Sequence, residues 1–365
     1  MPADPQIPSS FLPNLPHEAN VLIVRLRSIG DVVLTLPSLQ ALHHWRPDLR
    51  IHMLVEPLSA QLVEKHPAIS EVIVMQKFWP TVRSLRRRHL AIAFNMHGGP
   101  TSALLTRLSG ARLRVCWAGR QYSWCYNMHV PVHFPVYGRI EMHTAEHRLQ
   151  QFLYTGLPES PLPPAKVSVD ENAADLVRRK RAQKGIGPEQ PYAVIRPGAS
   201  QANKRWPVER FAAIAQWLRQ SHGLATVVNL GPGDEPIEAE VKRAFAGAGV
   251  IMNDLDVRGL VALLAGSHLF LGNDTGPTHI AAALHKKCVV IFGASDSKVW
   301  SPWKTDYRLV ENPFPCTQCP RGRCESLATS RCLNSISVEQ VRDACQALLT
   351  KDELQVPGSL QTDSR

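Results

Sequence analysis

The chain has 365 residues, 44% of them apolar and 20% charged, the balance of a globular protein long enough for two domains with separate cores. No apolar run reaches the ~18 residues of a membrane-spanning helix, and neither a Gly-x-x-x-x-Gly-Lys-Ser/Thr loop nor a Gly-x-Gly-x-x-Gly after the first strand occurs, which removes the main support for ATPase and nicotinamide-enzyme readings. A net charge of +10 favours an acidic partner (nucleic acid, anionic lipid or a phosphorylated substrate) without choosing among them.

Residues 1–19 are proline-rich, with no basic region followed by an apolar segment. They read as a flexible extension rather than a secretory signal, and the expected location is cytoplasmic. Val21–Val24 is a β-branched run, read as a buried strand. Arg25–Gly30 forms a turn, and Asp31 opens an apolar helical segment to Leu42, in which Pro37 predicts a kink or a late start. Strands follow at Ile51–Val55 and Val72–Val74, a helix around Thr81–His89, a strand at Ala91–Phe94 and a helix at Thr101–Leu108. This alternation predicts a parallel sheet with helices on both faces.

Prolines and glycines then cluster, and a charged helical segment, Glu171–Lys184, lies among them. The chain is expected to divide here: a first Rossmann-like domain over 20–165, a linker region over 166–190, a second such domain over 191–350 and a flexible tail over 351–365. The second series has strands at Tyr192–Ile195, Thr226–Leu230, Leu269–Leu271 and Cys288–Phe292, with helices at Pro207–Ser221, Glu238–Ala246, Val257–Leu264 and Val338–Leu349. Two doubly wound domains would face each other across a cleft at the carboxyl ends of their strands, where such sheets bind ligands.

The most informative stretch is Gly272-Asn273-Asp274-Thr275-Gly276-Pro277-Thr278-His279. A strand, a small-residue turn and a helix start present free backbone N–H groups and the positive end of a helix dipole, which suit a phosphate. An ordinary strand–turn–helix junction with Asp or Thr as N-cap fits as well. Asp274 repels phosphate and is better placed for sugar hydroxyls or for capping. The turn after Ile195 adds Ser200, Lys204 and Arg205, and the turn after Leu230 adds Glu235 as an acceptor for ribose hydroxyls. Together these describe a nucleoside-diphosphate site.

In the first half, Asp31 is placed either as a general base or as a helix cap. His97 and His279 read as cleft residues or as satisfied turn and helix histidines. Arg83, Arg86, Arg87 and Arg88, close to Phe78 and Trp79, read as a membrane or acceptor-phosphate contact or as a solvated helix face. Cys316 and Cys319 have zinc-ligand spacing, with Cys324 and Cys332 as a looser second half; structural zinc and a metal-free loop both remain open.

Three pieces carry a resemblance: Val21–Val32, Pro197-Gly198-Ala199 with Lys204-Arg205-Trp206-Pro207, and Asn273–His279. In this order and at these separations the chain resembles glycosyltransferase family 9, the lipopolysaccharide heptosyltransferases, over about residues 20–350. The resemblance implies a GT-B fold and transfer of a heptose from an ADP-heptose donor to the lipopolysaccharide inner core, with inversion and no metal at the reaction centre. Asp31 matches the base that deprotonates the acceptor hydroxyl. Lys204 and Ser200 match donor-phosphate contacts, Thr275 and Gly276 the backbone cradle, Asp274 a donor-sugar contact, and His279 the histidine of that motif. Glu235 looks like the ribose-binding glutamate, and Arg120, with His97, is placed on the acceptor side. The implied acceptor is a phosphorylated lipid A and inner-core molecule at an anionic membrane surface; no nucleic acid and no cofactor beyond the ADP-sugar substrate are implied. The alternatives are a non-catalytic nucleotide-sugar-binding protein and a family member using another sugar.

Overall fold

The computed structural model describes residues 11–293, 295–312 and 330–350. Its first lobe runs β1 (Asn20–Val24), α1 (Ile29–Val33), α2 (Leu36–Trp45), β2 (Arg50–Val55), α3 (Pro57–Val63), β3 (Glu71–Val74), α4 (Phe78–Arg86), β4 (Ile92–Asn95), α5 (Pro100–Leu108), β5 (Leu113–Trp117), β6 (Met128–Val130) and α6 (Thr144–Tyr154). The second runs α7 (Glu171–Gln183), β7 (Tyr192–Arg196), α8 (Val208–His222), β8 (Ala225–Asn229), α9 (Glu235–Ala244), β9 (Val250–Met252), α10 (Val257–Ala265), β10 (Leu269–Asn273), α11 (Gly276–Ala283), β11 (Lys287–Ile291), α12 (Ser297–Trp300), β12 (Tyr307–Val310), α13 (Arg331–Ser335) and α14 (Val338–Leu349).

The central strands are apolar and buried along nearly their whole length, as strands covered by helices on both faces must be. All strand pairs within the two six-stranded sheets are parallel. The first sheet has the order β3-β2-β1-β4-β5-β6, and the second, β12-β11-β10-β7-β8-β9, repeats it in reverse listing. This is the Rossmann order, in which the strand sequence reverses between the first and fourth strands and opens a ligand crevice at their carboxyl ends. The two crevices are therefore fixed by topology: after β1 and β4 in one lobe, after β7 and β10 in the other.

One apolar core spans both lobes, joining residues of β1, α2 and α6 to residues of α10, α11 and β10. The outer faces have separate cores, under α4 and α5 in the first lobe and under α8, α9 and α14 in the second.

Several expectations are altered. Residues 11–19 are packed rather than loose: Leu12 is fully buried, and Arg46 donates to the carbonyls of Leu12 and Leu15 at 3.0 and 3.1 Å. Residues 1–10 and the tail at 351–365 lie outside the described residues. The segment from Asp31 to Leu42 is two helices, because Pro37 occupies the first turn of α2, where its missing N–H costs nothing. The linker region contains α7, whose Arg181 lies 4.1 Å over the Tyr192 ring and whose Lys180 pairs with Asp254 at 2.5 Å. Both contacts attach α7 to the second lobe.

Candidate active site

Leaving β1, the chain passes Arg25, 5% exposed, and turns into α1 with Ser28 as N-cap. Asp31 is the third residue of α1, not its cap. One carboxylate oxygen accepts from the Ser28 hydroxyl at 3.0 Å, closing the first turn. The other accepts from Arg148 of α6 at 2.8 Å and from Arg25. Arg25 also donates to the Met96 carbonyl beyond β4. Burial pushes the Asp31 carboxyl up, but the Arg25 and Arg148 charges outweigh it and hold it below the usual carboxylate range. Asp31 is thus a fixed, ionised group at the first switch point.

Trp117 holds this triad from behind. The Arg148 and Arg120 guanidinium groups lie 5.4 and 5.6 Å from its ring centre, and its ring stacks on His147 at 4.5 Å. Arg120 lines a wide cavity of about 1160 Å³ beside the triad, with Arg139, Arg148, Lys298 and Lys304 on its walls. His97 follows β4 and is held by the Arg27 carbonyl, 3.2 Å from Nδ1.

The second switch point is built from three turns. Thr275 caps α11; Pro277 has no N–H and the Thr278 N–H donates to the Thr275 carbonyl at 3.1 Å, so the N–H groups this helix head offers a ligand are those of Thr275 and Gly276. Lys204 donates to Asp274 at 3.0 Å. Arg196 at the end of β7 pairs with Asp234 at 2.6 Å, and Asp234 accepts from the Gly231 N–H at 2.8 Å. A Cβ on Gly198 would sit 2.0 Å from Asp234, so only glycine lets these two turns lock together. The His279 ring is buried, and burial outweighs the pull of Asp274 to push its pKa down to about 4. It is a neutral imidazole at pH 7. Thr275 Oγ1 and His279 Nδ1 are buried polar atoms without a hydrogen-bond partner among the described residues, the state expected of groups meant for a ligand or water.

The lobes meet helix head to helix head. A Cβ on Gly30 would lie 2.7 Å from His279 Cδ2, and one on Gly276 would lie 3.2 Å from Ile29. This close approach brings Asp31, Ser200, Lys204, Asp274, Thr275, Gly276 and His279 into one cleft of about 690 Å³. Glu235 is not in that cleft. It is the first residue of α9 and accepts from the Gly233 N–H at 3.3 Å, lining an adjoining depression that shares Pro232 and Asp234 with the cleft. Arg120 and His97 also lie outside the cleft lining, Arg120 in the wide cavity next to it. Cys316, Cys319 and Cys324 fall outside the described residues. Cys332, in α13, has no disulfide partner among the described residues.

Sequence reasoning missed Arg25, Arg148 and Arg196. Arg25 and Arg196 are each the first charged residue at the end of a buried central strand, which was the available signal. Arg148 had a weaker one: His143 and Glu146 form a capping box, which marks the start of α6.

The family model for glycosyltransferase family 9 (heptosyltransferase) matches residues 78–328. The chain belongs to glycosyltransferase family 9. It is 25% identical to lipopolysaccharide heptosyltransferase 3 of Escherichia coli K12 over 346 residues, 90% of this chain and 97% of the relative. The solved E. coli ADP-heptose LPS heptosyltransferase II superposes with a TM-score of 0.76 at 21% identity, over 92% of this chain and 99% of that one. E. coli heptosyltransferase WaaC, solved with ADP, gives 0.67 at 20% identity, over 90% and 99%. The facing Rossmann-like lobes of this family 9 glycosyltransferase are thus those of the GT-B heptosyltransferases. No helix among the described residues is long and apolar enough to cross a membrane.

Proposed function

We propose that this family 9 enzyme transfers a heptose from ADP-heptose to a phosphorylated inner-core acceptor of lipopolysaccharide at the cytoplasmic face of a membrane, with inversion. The observation that carries this reading is the shared cleft: a fixed carboxylate from one lobe faces a cation and a free helix head from the other. The acceptor hydroxyl oxygen bonds to the anomeric carbon as the carbon–phosphate oxygen bond breaks, ADP departs, and the hydroxyl proton passes to Asp31. Base and leaving-group grip sit on opposite lobes, which suits attack from the face opposite the diphosphate.

Two arginines make Asp31 a weak base in the resting site. The attacking oxygen becomes strongly acidic as its bond to carbon forms, so a weak but well-placed base suffices late in the step. Lys204, now paired with Asp274, turns to the diphosphate, and the N–H groups at the head of α11 add the fixed dipole. Asp274 is then free to accept from sugar hydroxyls, while Ser200 and the unpartnered Thr275 hydroxyl contact phosphate. Glu235, in the depression next door, takes the ribose. Arg120, beside the Asp31 triad, takes acceptor phosphate, with His97 at the edge of the same face. No cofactor enters beyond the donor itself.

The test is a donor screen by thermal shift, followed by transfer to a purified inner-core acceptor. ADP-heptose is expected to raise the melting temperature more than ADP-glucose or UDP-sugars, and product with the inverted linkage to appear. Stabilisation by ADP-heptose without product would return the reading to a binding protein; preference for another ADP-sugar would change the sugar.

A further inference from the structure

The positive charge of this chain is concentrated in one place. No Asp or Glu occurs between Glu71 and Glu141, whereas one Lys and nine Arg do, so this stretch alone carries +10, the net charge of the whole chain. Its densest basic run, Arg83 to Arg88, lies on and just after α4. Val82 and Leu85 face inward onto the outer core of the first lobe. Trp79, Arg83, Arg86 and Arg87 are all exposed, and their spacing of four, seven and eight residues puts them on one stripe. Arg88 is engaged by Glu71, and Arg86 donates to the Leu108 carbonyl at 3.1 Å. Lys77, Arg83 and Arg87 form no ion pair among the described residues.

A solvated helix face normally mixes both signs and keeps its large apolar groups inward. Here the face is of one sign, and Trp79 points out with 63% of its surface exposed. Six of the seven exposed large apolar side chains among the described residues, Trp79 included, lie in the first lobe, between Leu58 and Ile140. An exposed indole beside arginines is the pattern of a helix lying at a lipid headgroup layer, where the ring spans apolar and wet regions. The strand before α4, at the outer edge of the sheet, ends on the same side as the strands that border the cleft, so Trp79, in the first turn, lies at that end of the first lobe.

We infer that the α4 face docks the first lobe on an anionic lipid surface, with Trp79 at headgroup depth and Lys77, Arg83 and Arg87 on lipid phosphates. This does not depend on which sugar the cleft takes. It leaves the shared apolar core, on the other side of the first sheet, free of the membrane and brings that end of the first lobe to a lipid-anchored acceptor.

The full chain is sedimented with vesicles of phosphatidylglycerol and phosphatidylcholine, with vesicles of phosphatidylcholine alone, and mixed with duplex DNA. Binding to the anionic vesicles at low salt, weakened by added salt, is expected, with little on neutral vesicles. Arg83→Ala with Arg87→Ala should weaken vesicle binding by on the order of thirty-fold, from the usual contribution of a basic residue near such a surface. Trp79→Ala should remove the quenching of protein emission by brominated lipid. Unchanged melting temperatures of these surface variants show that folding is intact, and a soluble, lipid-free acceptor should be turned over as by the parent. Equal binding to neutral vesicles, binding that ignores both sets of substitutions, or tighter binding to DNA through the same arginines would each overturn the proposal.

Discussion

The two crevices are the same structural unit with different chemistry. Each follows the first strand of its sheet or its switch-point neighbour, each has an Asp at the head of a helix, and both Asp residues are ion-paired. Asp31 is clamped by two arginines whose side chains are 7% and 8% exposed. Asp274 is held by one lysine, 27% exposed, on a flexible stem. A planar, buried guanidinium pair fixes a carboxylate's charge and direction. A single partly exposed ammonium is a point charge that can change partners. The first lobe therefore keeps its carboxylate ready, and the second keeps its cation ready. Identical topology has been filled with different charge surroundings around each Asp, which suits the opposite roles proposed for the two sites.

The sharpest test of this contrast is Asp31→Asn. Loss of the base should lower turnover by roughly a thousandfold, with ADP binding by calorimetry unchanged. Wild-type turnover in a folded variant would remove Asp31 from the chemistry. Lys204→Ala should come next, costing roughly a hundredfold in kcat/KM for the donor while the melting temperature barely moves; unaltered donor kinetics would place the leaving group elsewhere. Gly30→Ala tests whether the roles depend on the lobes meeting. Its methyl would press on His279, so a stability loss of about 1–3 kcal/mol by denaturant unfolding is expected, with roughly tenfold slower turnover from displaced helix heads. A methyl accepted without cost would mean that the lobes are not packed this tightly in solution.

Arg148→Met examines the clamp itself. With one guanidinium gone, the Asp31 carboxyl pKa moves up from its depressed position. Activity that needs the carboxylate is lost as pH falls through that pKa, so the acid limb of the pH–rate profile should shift to higher pH; an unshifted limb would dissociate Arg148 from the base. The smallest effect concerns His279, neutral in the fold with a pKa of about 4 against an ordinary 6.5. The unfolded chain binds the proton first, so this group's contribution to stability is complete above pH 6.5 and is lost as pH falls toward 4. Melting temperatures between pH 7 and 5 should fall less in His279→Gln than in the parent.

Much of this is legible in the sequence. Strand β10 and the turn into α11 form one contiguous signal, as do β1 and the turn holding Asp31, because each is a buried apolar run followed by the small residues that a crevice needs. Residues drawn from weakly patterned regions were not readable. Strands β5 and β6 and helix α6 went unplaced, since their segments are short or polar along the chain and become buried only by packing on the sheet. Arg148, on that helix, went unseen with them. Glu235 was placed by its turn, yet the turn alone does not say which of two adjoining depressions a side chain enters.

Local order along the chain thus determined the alternating strands and helices, the glycine-bearing turns and the family they belong to, since burial patterns and turn chemistry act over a few residues. Only the folded molecule decided that Asp31 is gripped by an arginine 117 positions away, that His279 is neutral, and that Gly30 and Gly276 bring the two helix heads together. Those outcomes depend on burial and on distances between remote segments, and only packing sets either.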